Sequence, residues 1–305
     1  MKKFIKLFIV FICYIQFCNS QSSKIFDLVE HHYADNKGVK IHYVSLGKGP
    51  VVLFVHGFPD FWYTWHEQML PLSKNYKTVA VDLRGYNLSD SPKGVENYFF
   101  NELIGDIEAV IKSLGEQPVH LVGHDWGAAI SWRLAIEYPE LIKKLVILNV
   151  PHPKAGNNKP IIQDEERQPS YADTFVSDEF RTQLTEQWLS GWVKDSDAKS
   201  IYIEAFKRSD KDVMINYYKA NYPTLENLKK ESFIKRNYDL PNLKMPVLIV
   251  HGKNDKYLPI SGHNNTWDFT DNELTIEILP NAGHFVQQDE SEKLTKLISE
   301  FLERK

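Results

Sequence analysis

The chain is poor in cysteine: its 305 residues contain two, Cys13 and Cys18, both within the first twenty positions. A disulfide framework and cysteine-ligated metal are thereby excluded for everything that follows residue 20. Basic runs interleaved with aromatics are also missing. With 36 lysines and arginines against 40 acidic residues, and a formal net charge of −4, nothing favours nucleic acid as a partner. Internal repeats, low-complexity tracts and zinc-spaced Cys/His clusters do not occur. The pair His31-His32 lacks further ligands nearby and reads as a solvated strand position. Phosphate-binding loops are absent too, and no cofactor is implied. Finally, no Gly-x-Ser-x-Gly occurs, which removes the elbow of a serine-type esterase. What remains is 43% hydrophobic and 25% charged, the balance of one large globular domain or a domain with an insertion.

Residues 1–20 stand apart. Lys2, Lys3 and Lys6 precede an apolar stretch, Leu7 to Ile15, and Cys18 and Ser20 are small residues at −3 and −1 of a cut before Gln21. This is the pattern of a signal peptide, predicting a secreted or lumenal protein. Left uncut, the segment would be a signal anchor, although Phe4 to Phe17 falls short of the ~20 residues that span a bilayer. Membrane association is expected only through these residues. Asn264-Asn265-Thr266 and Asn87-Leu88-Ser89 are glycosylation sequons.

Beyond residue 20, strand-like and helical stretches alternate. Leu28–Tyr33 and Lys40–Ser45 flank the turn Asn36-Lys37-Gly38 and predict a hairpin. Further strands are expected at Val51–Val55, Thr78–Val81, Val119–Val122, Leu145–Leu148, Val247–Val250 and Leu274–Leu279. Helices are expected at Trp65–Ser73, Asn101–Leu114, Trp126–Tyr138 and Ser291–Arg304. The central strands are continuous apolar runs, as in a mostly parallel sheet covered on both faces. Between Pro151 and about Leu240 the alternation stops. That polar, Tyr- and Trp-rich region is helical where periodic (Phe180–Trp188, Ser200–Lys207) and predicts a helical cap over 152–240, splitting the core into 21–151 and 241–305. Such caps close apolar pockets over strand ends.

The chemistry centres on Gly123-His124-Asp125-Trp126-Gly127, between an expected strand and an expected helix. It has the form of a nucleophile elbow with a carboxylate at its centre, and the two glycines are expected to permit the sharp turn. A serine attacking saturated carbon would form an inert ether. A carboxylate forms an alkyl ester whose carbonyl belongs to the protein, so water can cleave it. Aspartate also needs no base to ionise it, its ordinary pKa being about 3.9. The expected substrate is a strained ring or a carbon bearing a good leaving group.

Two more residues follow in the order nucleophile, acid, histidine. Asp255, after the Val247–Val250 strand, and His284, after Leu274–Leu279, fall on loops at the same sheet edge as Asp125. The histidine would activate water against the ester, and Asp255 would fix its tautomer. For the oxyanion, the Trp126 N–H directly follows the nucleophile. The Phe58 N–H in His56-Gly57-Phe58-Pro59 is the second expected donor.

Together with Arg84-Gly85-Tyr86-Asn87-Leu88-Ser89, these motifs resemble the α/β-hydrolase-fold epoxide hydrolases, from about Val29 to the C-terminus. The resemblance implies an eight-stranded, mostly parallel sheet, an inserted helical cap and two cap tyrosines that hydrogen-bond the epoxide oxygen. By motif position these are Tyr171 and Tyr218, with Tyr217 the alternative should its helix be rotated. The segment Ala172–Phe175 departs from the more aromatic, glutamine-containing family pattern. A phenol of pKa about 10 can meet the developing alkoxide. Trp126 and Tyr217 are expected to contact substrate. The implied reaction converts an apolar epoxide, lipid or xenobiotic, and water to a vicinal diol. Haloalkane dehalogenases share the Asp-Trp elbow, but many carry asparagine where Phe58 stands. A non-catalytic binding protein would have no need of the triad and oxyanion loop together.

Overall fold

The computed structural model describes residues 25–115, 118–155, 171–222, 227 and 240–304. The expected signal segment and the sequence just before Tyr171 lie outside them. The hairpin forms first, as β1 (Glu30–Asn36) and β2 (Val39–Leu46), closed by Lys37 and Gly38 at φ 53° and 90°. Positive φ at both central residues matches the turn to the right-handed twist of its strands. Residues 25–28, partly expected as strand, are helical instead, with Ile25 fully buried and Phe26 stacked on Tyr63.

Strands β3 (Val51–Val55), β4 (Lys77–Val81), β5 (Val119–His124), β6 (Ile142–Leu148), β7 (Val247–Gly252) and β8 (Leu274–Leu279) complete one eight-stranded sheet in the order β1-β2-β4-β3-β5-β6-β7-β8. Only the β1–β2 and β2–β4 pairs are antiparallel. All residues of β3, β5 and β7 are buried, because helices cover both faces and no polar side remains for alternation. The covering helices include α1 (His66–Leu72), α2 (Phe100–Leu114) and α3 (Trp126–Glu137). The chain architecture is that of an α/β hydrolase.

Among the described residues, six helices lie between β6 and β7: α4 (Tyr171–Phe175), α5 (Asp178–Arg181), α6 (Glu186–Leu189), α7 (Ser196–Arg208), α8 (Lys211–Met214) and α9 (Asn216–Asn221). No strand interrupts them among the described residues. The single helix expected over Phe180–Trp188 is broken, because the Thr185 hydroxyl accepts from Trp188 N–H and starts a new helix. After β8 come α10 (Val286–Asp289) and α11 (Ser291–Glu303).

The parallel register decides where the site falls. Val55 pairs with Gly123, His124 with Leu148, Leu148 with Val250, and Gly252 with Leu279. Five consecutive strands therefore end at one height, and the residues after them converge on one edge.

Candidate active site

Asp125 occupies the turn between β5 and α3 with φ 49° and ψ −122°. A non-glycine residue there is strained, by about 1–3 kcal/mol. The flanking glycines serve differently from the sequence-based expectation, since neither Gly123 nor Gly127 has a positive φ. Their value is the missing Cβ. One on Gly127 would lie 2.1 Å from the Val55 carbonyl oxygen, and one on Gly123 would lie 2.6 Å from the Gly127 carbonyl oxygen. Gly57 is equally tight: a Cβ there would sit 2.3 Å from the Asp125 Cβ.

The two oxygens of Asp125 are differentiated. Oδ1 accepts from the Phe58 N–H at 2.7 Å, and Oδ2 lies 3.5 Å from His284 Nε2. Trp126 N–H, at the first position of α3, has no intrahelical carbonyl to serve. The Phe58 loop is held in turn by buried His56, whose Nδ1–H donates to Gly57 O at 2.8 Å while Nε2 accepts from Leu83 N–H at 3.0 Å. The bond accepted at Nε2 needs a neutral ring, and burial lowers its pKa to about 4.

His284 joins Asp255 through Nδ1, 2.8 Å from Asp255 Oδ2. The other oxygen of Asp255 accepts from the N–H groups of Tyr257 and Leu258 at 2.8 and 3.1 Å. Burial alone would lower the His284 imidazole, but hydrogen bonds and charge from Asp125 and Asp255 push it up to about 9. Burial likewise opposes ionisation of both carboxyls. The His284 contact outweighs it, and each is held below the ordinary carboxylate range. At neutral pH the free site is thus an imidazolium between two carboxylates.

Asn149, directly after β6 with φ 66°, was not anticipated. Its Nδ2 donates to Asp255 Oδ2 at 2.6 Å and to Gly283 O at 3.2 Å. The clue available beforehand was its place at the end of a central strand. His124 is a second omission: its Nε2–H donates to the His284 carbonyl at 2.7 Å, and burial lowers its pKa to about 4.

A cavity of about 190 Å³ opens over Asp125 and His284, lined also by Phe58, Pro59, Tyr171, Phe175, Trp188, Gly191, Trp192, Tyr218, Tyr257 and Phe285. Both expected tyrosines reach it. Burial first, and nearby charge including that of Asp125, raise both phenols well above 10, so they remain hydrogen-bond donors. Tyr217 is corrected. Its hydroxyl donates to the Arg84 carbonyl at 2.8 Å, and its side chain does not line the cavity. The Trp126 ring is likewise set back from the cavity lining, packing edge-on to Tyr218 at 5.0 Å. The aromatic walls were foreseen only as composition. Trp192 stacks on Phe285 at 3.7 Å, and half-exposed Tyr257 stands edge-on to His284 at 5.1 Å.

Residues 50–291 match the family described as alpha/beta hydrolase fold. Epoxide hydrolase 1 of Caenorhabditis elegans is 32% identical, covering 90% of this chain and 70% of the relative. Human epoxide hydrolase 4 is 30% identical, with 88% and 76% covered. Among solved structures, an inhibitor complex of the Bacillus megaterium epoxide hydrolase superposes with a TM-score of 0.78 at 30% identity, covering 90% of this chain and 100% of that one. A Vigna radiata epoxide hydrolase gives 0.74 at 27%, with 90% and 98% covered. Fold, elbow and kinship agree, and the chain belongs to the epoxide hydrolases of the α/β-hydrolase fold, a family of hydrolytic enzymes.

Proposed function

We propose that this enzyme opens an apolar epoxide to a vicinal diol through a covalent ester on Asp125. The observation that carries this reading is the unequal treatment of the two Asp125 oxygens. Oδ1 is bound by a backbone donor, while Oδ2 faces the histidine and the cavity. Oδ2 attacks a ring carbon, the carbon–oxygen bond breaks, and the leaving oxygen takes a proton from a phenol, with Tyr218 and Tyr171 supporting it. The ester carbonyl is then Asp125's own Oδ1, already bound by the Phe58 N–H, and the Trp126 N–H is the second donor to the oxyanion. His284 removes one proton from water as its oxygen attacks Asp125 Cγ. The tetrahedral intermediate collapses, the departing diol alkoxide takes that proton from His284, and the water's second proton passes from the Asp125 carboxyl back to the phenolate, restoring both.

Two features favour an epoxide over a haloalkane. The Trp126 indole, one donor a halide would need, does not line the cavity, and the two phenols that do suit an oxygen leaving group. The aromatic lining supports an apolar substrate.

The scheme predicts that oxygen reaches the diol through the protein. A single turnover in ¹⁸O-water with excess enzyme should leave the label in Asp125 and unlabelled oxygen in the diol. Diol carrying the water label on the first turnover would refute the ester. Asp125→Ala should show no turnover, and His284→Gln should accumulate an intact adduct visible by mass spectrometry.

A further inference from the structure

Tyr217 and Tyr218 are adjacent on α9, so their side chains leave the helix about 100° apart. Which one faces the cavity depends on rotation alone. Two polar side chains on one face of the helix decide it. The Tyr217 hydroxyl donates to the Arg84 carbonyl at 2.8 Å. One turn later, the Asn221 amide bridges to the core: Nδ2 donates to Tyr98 O at 2.6 Å, and Oδ1 accepts from Phe100 N–H at 3.0 Å. Phe100 begins α2, so its N–H has no partner within its own helix and Asn221 supplies one from the insertion. All these groups are buried, where an unmatched donor or acceptor is costly, so a rotated α9 would lose several bonds at once.

The receiving surface is itself rigid. Buried Arg84 grips Asp106 with Nε and Nη2 at 2.6 and 2.5 Å, which leaves its backbone carbonyl fixed for Tyr217. The neighbouring loop residues also bind the insertion: Gly85 O accepts from Asp210 N–H at 3.0 Å, and Asn87 N–H donates to Ser209 Oγ at 2.8 Å. The Arg84–Asn87 motif thus contributes no residue to the cavity lining and instead docks α9, which does, together with the Ser209–Asp210 link that precedes it.

We propose that Tyr217 and Asn221 are positioning residues, a latch that sets the rotation of α9 and so holds the Tyr218 hydroxyl over Asp125. This rests on the reading of Tyr218 as donor to the epoxide oxygen. The latch should therefore govern formation of the ester and leave its hydrolysis alone.

The test measures adduct formation in the His284→Gln enzyme, where alkylation is observed without breakdown. Styrene oxide, a small aryl epoxide, serves as probe. Tyr217→Phe, which keeps the ring, and Asn221→Ala should each slow alkylation by roughly 10 to 100-fold, the scale expected for displaced catalytic groups. In a Tyr218→Phe background neither should slow it further, whereas a merely structural role would act alike in both. With His284 intact, decay of the ester after a pulse of substrate should keep its wild-type rate. Wild-type alkylation in both variants, or equal slowing with and without Tyr218, overturns the latch. Should Tyr218→Phe alone alkylate at the wild-type rate, the reading of Tyr218 fails and the latch fails with it. Tyr217→Phe decides the matter if Asn221→Ala does not fold.

Discussion

An imidazolium between two carboxylates cannot remove a proton from water, so His284 must change state during the cycle. Alkylation of Asp125 is the event that changes it, because an ester carries no charge. Coulomb's law at the 3.5 Å separation, with an effective dielectric constant of about 20, gives a gross attraction of about 5 kcal/mol. That is an upper bound; one neighbouring opposite charge commonly moves a pKa by about 1 to 3. Removing the Asp125 charge should therefore bring His284 down from about 9 to roughly 6 to 8, with burial then lowering it unopposed by that partner. The measurement is a proton–carbon NMR titration of the histidine rings in wild type and Asp125→Ala, with His284→Gln assigning the resonance. With His284 intact, the rate of ester hydrolysis should follow the lower value. A His284 that still titrates near 9 in Asp125→Ala would refute the reasoning. The sign for stability follows from the same shift. With its folded pKa raised, His284 contributes stability in full below its unfolded value of about 6.5, and the contribution is lost as pH rises through about 9.

Two further substitutions probe the supports. Asn149→Ala removes a donor to Asp255, an interaction with a charged group worth about 1.5 to 3 kcal/mol; ester hydrolysis should slow roughly 10 to 100-fold while alkylation is spared, and pre-steady-state kinetics that show the reverse would count against the assignment. Arg84→Met leaves Asp106 buried without its ion-pair partner and should cost about 3 to 5 kcal/mol in urea unfolding, against which a loss below about 1 kcal/mol would show that the pair is dispensable.

Much of the fold was legible because its signals are local. Apolar runs such as Val51–Val55 and Val247–Val250 announce strands buried on both faces, and the interruption after Leu148 announces an insertion between β6 and β7. Asp125, Asp255 and His284 could be associated from the sequence because each falls on the loop that follows an expected strand. Parallel register then brings strand ends to one height. Asn149 obeys the same logic and was missed only because an asparagine after a strand is also an ordinary turn residue. The break at Thr185 was missed because a capping hydroxyl competes with helical periodicity only once its neighbours are placed.

By itself, then, the sequence determined the order of the elements, the carboxylate at the elbow and the identity of the acid and histidine, since these depend on residue type and short-range pattern. Tertiary structure alone decided which of two adjacent tyrosines faces the cavity, why Gly57, Gly123 and Gly127 must lack a Cβ, and that His284 lies between two carboxylates. Those outcomes turn on ångström-scale contacts between segments as much as 160 residues apart, such as His124 and the His284 carbonyl, and no local pattern encodes such a distance.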